Sequence, residues 1–178
     1  MPRLFTGLEI PHEIAMPLSL LQSGLEDVRW IEQSDFHITL RFIGDVDRPM
    51  ANEIAQSLGQ ISHKPFELQL DQLDVFGGKK PRSLFAKVRH NDLLERLQLA
   101  QERLMQQIGL QPEGRKFVPH VTLARFGNIK SDVLAQWLSH HGGFFSQAFT
   151  VPRFVLYSAR ESIGGGPYVI EQAYPLTE

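Results

Sequence analysis

Hydrophobic and polar positions along this chain fall into short blocks whose period switches between about two and about four. Leu4 to Ile10 reads as a strand, Pro11 opens a helix to about Gly24, Val28 to Ile31 is extended, and Phe36 to Ile43 is a further strand. Asp47 to about Ile61 has helical spacing, with Asp47 placed as N-cap and Pro49 in the first turn, where its missing N–H is no loss. Phe66 to Asp71 alternates apolar with polar, Leu73 to Phe76 prolongs that strand, and Gly77 to Pro81 turns the chain.

From Ser83 the order repeats. Ser83 to Val88 predicts a strand and Asp92 to about Ile108 a helix with Leu93, Leu94, Leu97, Leu104 and Ile108 on its apolar face. After a loop at Pro112-Glu113-Gly114, Phe117 to Ala124 predicts a strand and Ser131 to Ser139 a helix. Two strands then follow, around Ala148 to Ser158 and Tyr168 to Tyr174, separated by Gly164-Gly165-Gly166-Pro167. The expectation is an internal duplication whose halves are related by a pseudo-two-fold axis. One domain would contain two halves, about 1–78 and 79–178.

The repeat extends to chemistry. His37-Ile38-Thr39-Leu40-Arg41-Phe42 in the first half is answered by His120-Val121-Thr122-Leu123-Ala124-Arg125-Phe126 in the second. A given His precedes Thr-Leu at this offset roughly one time in 200 at average composition. Seven histidines form 21 pairs, so two hits by chance have a probability on the order of 10⁻³ or below.

On a strand, residues two apart share a face. His37 and Thr39 therefore point one way and Ile38 and Leu40 the other, into the core, and the same holds for His120 and Thr122 against Val121 and Leu123. If the halves face each other, two imidazole–hydroxyl pairs oppose across a cleft. Phosphodiester cleavage needs a base for the attacking oxygen, an acid for the leaving oxygen and donors for the charged phosphoryl oxygens. Two histidines and two threonines with an Arg fork meet these needs without metal or other cofactor.

Two arginines are less straightforward. Arg125 is out of phase with His120 and Thr122, and reaches the cleft only if the strand ends or bulges near Ala124. Arg41 is in phase with His37 and Thr39, but far enough along to be solvated. Phe42 reads as a core residue, with stacking on a base as the lesser alternative. Which histidine is acid does not follow from the pattern.

Composition narrows the field. The 178 residues suffice for one core. Without cysteine, disulfides, thiolate nucleophiles and Cys-based zinc sites are excluded. A formal net charge of −2 argues against a protein that coats duplex nucleic acid, although Lys79-Lys80-Pro81-Arg82 and Arg115-Lys116 are local basic clusters, read as solvated loops or as flanks of an RNA strand. No signal-peptide pattern and no apolar run near ~18 residues is present, so a soluble cytoplasmic protein without membrane contact is expected. His140-His141 reads as a helix C-terminus, favourable for positive charge.

The paired motifs resemble those of the two-histidine (2H) phosphoesterase superfamily, in particular its bacterial RNA 2′,3′-cyclic phosphodiesterases, also called 2′-5′ RNA ligases. The resemblance covers nearly the whole chain. Arg3-Leu4-Phe5 to Ile10-Pro11 looks like the family's first strand, Pro119 to Arg125 like its second motif, and Leu156-Tyr157-Ser158 with Gly166-Pro167-Tyr168 like its final hairpin. It implies an α+β, bilobal fold of two antiparallel sheets related by a pseudo-two-fold axis, with helices on the outer faces, a central cleft and strands exchanged between lobes, and opening of a terminal 2′,3′-cyclic phosphate to a 2′-phosphate. The reverse reaction would join a 5′-hydroxyl in a 2′-5′ linkage.

By the same resemblance His37 and His120 are the acid–base pair, with His37 as acid and His120 as base, and Thr39, Thr122 and Arg125 hold the phosphate. The implied partners are RNA ends or tRNA fragments carrying the cyclic phosphate, and small cyclic nucleotides; a monomer is expected. Two other readings compete: a module that binds RNA ends or tRNA without turnover, and a 2H enzyme for another cyclic or 2′-5′ nucleotide.

Overall fold

The computed structural model describes residues 2–159 and 167–178. Its elements follow the predicted order closely. β1 (Arg3–Glu9), α1 (His12–Leu20), β2 (Val28–Trp30), β3 (His37–Asp45), α2 (Arg48–Leu58), β4 (Phe66–Leu68) and β5 (Leu70–Phe76) make the first half. β6 (Ser83–Val88), α3 (Asp92–Gln107), β7 (His120–Phe126), α4 (Ser131–His141), β8 (Phe149–Val151), β9 (Arg153–Ala159) and β10 (Tyr168–Pro175) make the second. Asp47 caps α2 as expected, its carboxylate accepting from the Met50 amide at 2.9 Å. β7 begins at His120 rather than Phe117, since Pro119 has no N–H to offer a ladder. The glycines 164–166, read as a turn and as part of the final hairpin, lie outside the described residues.

The strand order is β10-β9-β1-β3-β7-β6-β5, with β2 added on β7, and a separate antiparallel pair β4-β8. Every recorded pairing is antiparallel, which makes an α+β fold. Two four-stranded groups are visible in this order: β10-β9-β1-β3, and β5-β6-β7-β2. They join at a single recorded residue pair, Ile38 with Val121, the residues between His and Thr in the two motifs.

The pairings correspond across the halves. β1 with β3 matches β6 with β7. β9 of the second half sits on β1 of the first, while β5 of the first sits on β6 of the second. These two exchanges, together with β2 on β7 and β4 on β8, tie the halves into one body.

The main core lies under the helices. Leu4, Leu8, Ile38, Leu40, Leu84, Ala86, Val121 and Leu123 from the central strands meet Ile14, Leu18, Ile54, Leu58, Leu94, Leu97 and Leu134 from α1 to α4. The apolar alternation of the His-x-Thr-Leu strands therefore does what the pattern implied. It buries Ile and Val beside Leu and leaves His and Thr on the other face. β1 comes very close to β3: a Cβ added at Gly7 would stand 2.7 Å from the Ile38 carbonyl oxygen, so only glycine fits there.

Candidate active site

Both His strands carry a β-bulge on the leucine of the motif, and β3 has a further one at Ile43. Along β3, Thr39 pairs with Gly7 and Arg41 with Thr6, leaving Leu40 unpaired. Along β7, Thr122 pairs with Phe85 and Ala124 with Leu84, leaving Leu123 unpaired. One extra residue reverses the phase of everything after it. The fourth residue after His thus turns to the core and the fifth to the cleft.

That shift decides the two arginines in opposite ways. Arg125, fifth after His120, is brought round to the face of His120 and Thr122 and lines their cavity. Arg41, fourth after His37, is turned away from the cleft and buried at 5% exposure, which corrects the expectation that it is solvated. Its Nε pairs with Glu102 at 2.6 Å, and its other nitrogens donate to the carbonyls of Phe42 and Gln111. Phe42, the counterpart of Arg125, is not a core residue: it is 41% exposed and borders the same cavity.

A cavity of about 240 Å³ collects the residues singled out from the sequence: His37, Thr39, His120, Thr122 and Arg125, joined by Arg3, Phe5, Asp35, Phe42 and Tyr168. Because the motifs run antiparallel about the Ile38–Val121 pair, continuing the register brings His37 towards Thr122 and Thr39 towards His120. Each histidine is clamped in the same way. His37 Nδ1 lies 2.8 Å from the Asp35 carbonyl and His120 Nδ1 lies 2.7 Å from the Val118 carbonyl. A carbonyl only accepts, so Nδ1 carries the proton in the neutral ring and Nε2 is left for the cavity. Thr39 Oγ1 stands 3.0 Å from His37 Nε2 and donates to it in that tautomer.

Beneath each ring is an aromatic bed that the sequence pattern did not reveal. His37 packs against Phe5, Tyr157 and Tyr168, with ring centroids 5.1, 5.6 and 4.9 Å away. His120 packs edge-on to Phe76 and Phe85 at 4.9 and 5.1 Å. These residues come from β1, β5, β6, β9 and β10; only the pairing of distant strands assembles them.

The beds and the cleft's own charge set the titration of the pair. Burial pushes His37 down to about 4, helped by the nearby His120 and Arg125 against the opposing hydrogen bond to Asp35. His120 is also lowered, first by burial and then by Arg125. Both effects penalise positive charge on the two rings. Burial likewise pushes the Tyr157 phenol up, keeping it neutral.

Other titratable clusters lie elsewhere. His140 and His141 donate from Nδ1 to the Gln136 and Trp137 carbonyls in the last turn of α4, at 2.9 Å each. Among the described residues the single group with metal-ligand spacing is the exposed set His90, Asp92 and Glu95 at the start of α3, outside the cavity. No helix among the described residues is long and apolar enough to cross a membrane.

An α+β fold that brings two H-x-T-x strands to one cavity, each histidine held through Nδ1, defines a two-histidine phosphoesterase. The family model described as LigT like Phosphoesterase matches residues 8–85 and 88–168, and the chain belongs to that family. It is 35% identical over 130 residues to an RNA 2′,3′-cyclic phosphodiesterase of Bacillus subtilis (strain 168), covering 70% of this chain and 71% of that one. It is 32% identical over 152 residues to the protein of the same name from Aquifex aeolicus (strain VF5), covering 82% and 81%. Its fold is that of E. coli LigT complexed with 3′-AMP, with a TM-score of 0.81 at 23% identity over 100% of both chains.

Proposed function

We propose that this protein is an RNA 2′,3′-cyclic phosphodiesterase that opens terminal cyclic phosphates to 2′-phosphates, with His37 and His120 as its general acid and base. The observation that carries the reading is the pair of like-clamped histidines lining one cavity with Thr39, Thr122 and Arg125. Relatives bearing that activity in their names support it. One domain of two matched halves, about 1–78 and 79–178, belongs to the same proposal and is supported by the corresponding strand pairings.

In the proposed reaction the cyclic phosphate sits between the rings. Thr39 and Thr122 hydroxyls and the Arg125 fork hold its non-bridging oxygens, where charge grows in the transition state. His120 takes a proton from water through Nε2 as the oxygen attacks phosphorus. His37 gives a proton to the departing 3′-oxygen, and the 2′-phosphate remains. With a 5′-hydroxyl in place of water, the same base takes its proton as it attacks phosphorus, the same acid protonates the departing 3′-oxygen, and a 2′-5′ linkage remains. The family resemblance gives His37 the acid role, and burial of its ring sets a condition on it. A ring held near 4 has no proton on Nε2 at neutral pH until the substrate's negative charge arrives. The acid is therefore loaded by substrate.

The test is an RNA oligonucleotide ending in a 2′,3′-cyclic phosphate, incubated with the protein in EDTA. A 2′-phosphate product is expected, and its loss by about 10² to 10⁴ in His37→Ala and in His120→Ala. Full activity in both variants would remove these residues from the chemistry. A diester with a good leaving group, such as bis(p-nitrophenyl) phosphate, needs no acid and should be hydrolysed by His37→Ala better than by His120→Ala; the opposite order would exchange the roles. Tight binding of the oligonucleotide with no product would instead indicate an RNA-end binding module.

A further inference from the structure

The strand register gives the cleft two unlike ends. β6 lies beside β7 on the side away from β3, and sets Lys87 directly opposite His120. Directly opposed residues share a face. Ala86 and Val88, the neighbours of Lys87, belong to the main core, so Lys87 is on the other side with His120 and with Phe85, whose ring packs against that histidine. In the matching place of the other half, β1 sets Glu9 opposite His37.

The two flanking charges differ in sign and in whether they are answered. Arg153 donates to both carboxylate oxygens of Glu9, at 2.6 and 2.9 Å. Lys87 is half-buried and has no ion-pair or hydrogen-bond partner among the described residues. Beyond it on β5 the register shifts between Leu70 and Leu73, and the carboxylate in that bulge, Asp71, is taken by Arg89 at 3.3 Å. Continuing the pairings about Ile38 and Val121 lays Glu9, His37, His120 and Lys87 in that order on four adjacent strands, β1, β3, β7 and β6. Displacement at phosphorus puts the departing and attacking oxygens roughly in line. With His37 at the departing oxygen and His120 at the attacking one, Lys87 stands behind the nucleophile. Water has no use for a cation there; a nucleophile that carries its own phosphate does.

Resting on the phosphodiesterase reading above, with His120 as base, we propose that Lys87 anchors an acceptor strand: an RNA whose 5′-hydroxyl replaces water and whose first phosphodiester on the 3′ side meets the ammonium. The 5′-hydroxyl gives its proton to His120 Nε2 as its oxygen bonds to phosphorus. The bond from phosphorus to the 3′-oxygen breaks, and that oxygen takes the proton of His37. Lys87 is one strand past His120, roughly 4.8 Å in the pairing direction. It is not among the residues that line the cavity of the reacting phosphate, as suits a contact to the next phosphate of the acceptor. The acceptor class is then a polynucleotide in preference to a free nucleoside, and its recognition is electrostatic and indifferent to base sequence.

The test is a partition experiment. A nucleoside 2′,3′-cyclic phosphate is offered a dinucleotide with a free 5′-hydroxyl, or the same dinucleotide with a neutral methylphosphonate linkage, and 2′-5′ product is counted against the 2′-phosphate made by water. At equal, subsaturating acceptor concentration the wild-type protein should transfer about ten-fold more to the charged dinucleotide, as expected for one charge-assisted contact. That preference should shrink as salt is raised. In Lys87→Gln the ratio between charged and neutral acceptor should fall towards one, and Lys87→Arg should keep most of it. A wild-type ratio near one, a ratio unchanged in Lys87→Gln, or 2′-phosphate with no transfer to either acceptor would overturn the Lys87 site and leave the phosphodiesterase reading intact. Absence of both products would overturn that reading and this one with it.

Discussion

Sulfate should carry a proton with it into the cleft. Burial holds His37 at about 4, so at pH 7 the ring is neutral; a bound dianion must supply the free energy to protonate it. Raising the ring from about 4 past 7 requires roughly 4 kcal/mol. One negative charge about 4 Å from the ring contributes about 4 kcal/mol at an effective dielectric constant near 20. A sulfate hydrogen-bonded to His37 Nε2 therefore has roughly twice what is needed, the opposition from His120 and Arg125 being already contained in the value near 4. Sulfate is preferable to phosphate because it does not itself titrate near neutrality.

The assay is titration calorimetry at pH 7 in buffers of different ionisation enthalpy, where the dependence of apparent heat on buffer gives the protons taken up. Close to one proton is expected in the wild type and in His120→Asn, and little in His37→Asn. Binding without proton uptake in the wild type would refute the loading of the acid by its substrate. Uptake kept in His37→Asn and lost in His120→Asn would place the proton on the other histidine.

The same titration makes stability depend on pH. His37 is near 6.5 when unfolded and about 4 when folded; its contribution is complete above about 6.5 and is lost as pH falls through 4, about 3 kcal/mol in all. Urea unfolding between pH 7 and 4 should show this slope, and His37→Asn should flatten it. Arg125→Gln should lower kcat/KM by about 10² through loss of a bidentate phosphate contact, with unfolding unchanged within about 0.5 kcal/mol; a similar loss of stability would make the residue structural. Arg41→Met leaves Glu102 without its counter-charge, held only by the Glu113 amide and Gln106, which should cost about 3 kcal/mol in urea unfolding, and adding Glu102→Leu should recover most of it.

Much of this protein was legible from residue types alone. The switching periods placed the helices and strands, because burying one face of each element demands apolar residues at its own repeat. The two H-x-T-L strands pointed to the proposed chemistry, since His and Thr must share a face wherever a strand forms. The phase of residues beyond each leucine was not legible. It depends on Leu40 being squeezed out of register against β1 and Leu123 against β6, and a bulge belongs to the paired strands together, not to either strand alone. Alternation by itself placed Arg41 on the cleft side and Arg125 away from it; the bulges reversed both, and put Phe42 at the cavity in place of a second arginine. The aromatic beds that hold His37 near 4 likewise come from strands that meet only when β5 and β9 cross between halves. Local chemistry determined which residues could act, and non-local pairing decided which of them face one another.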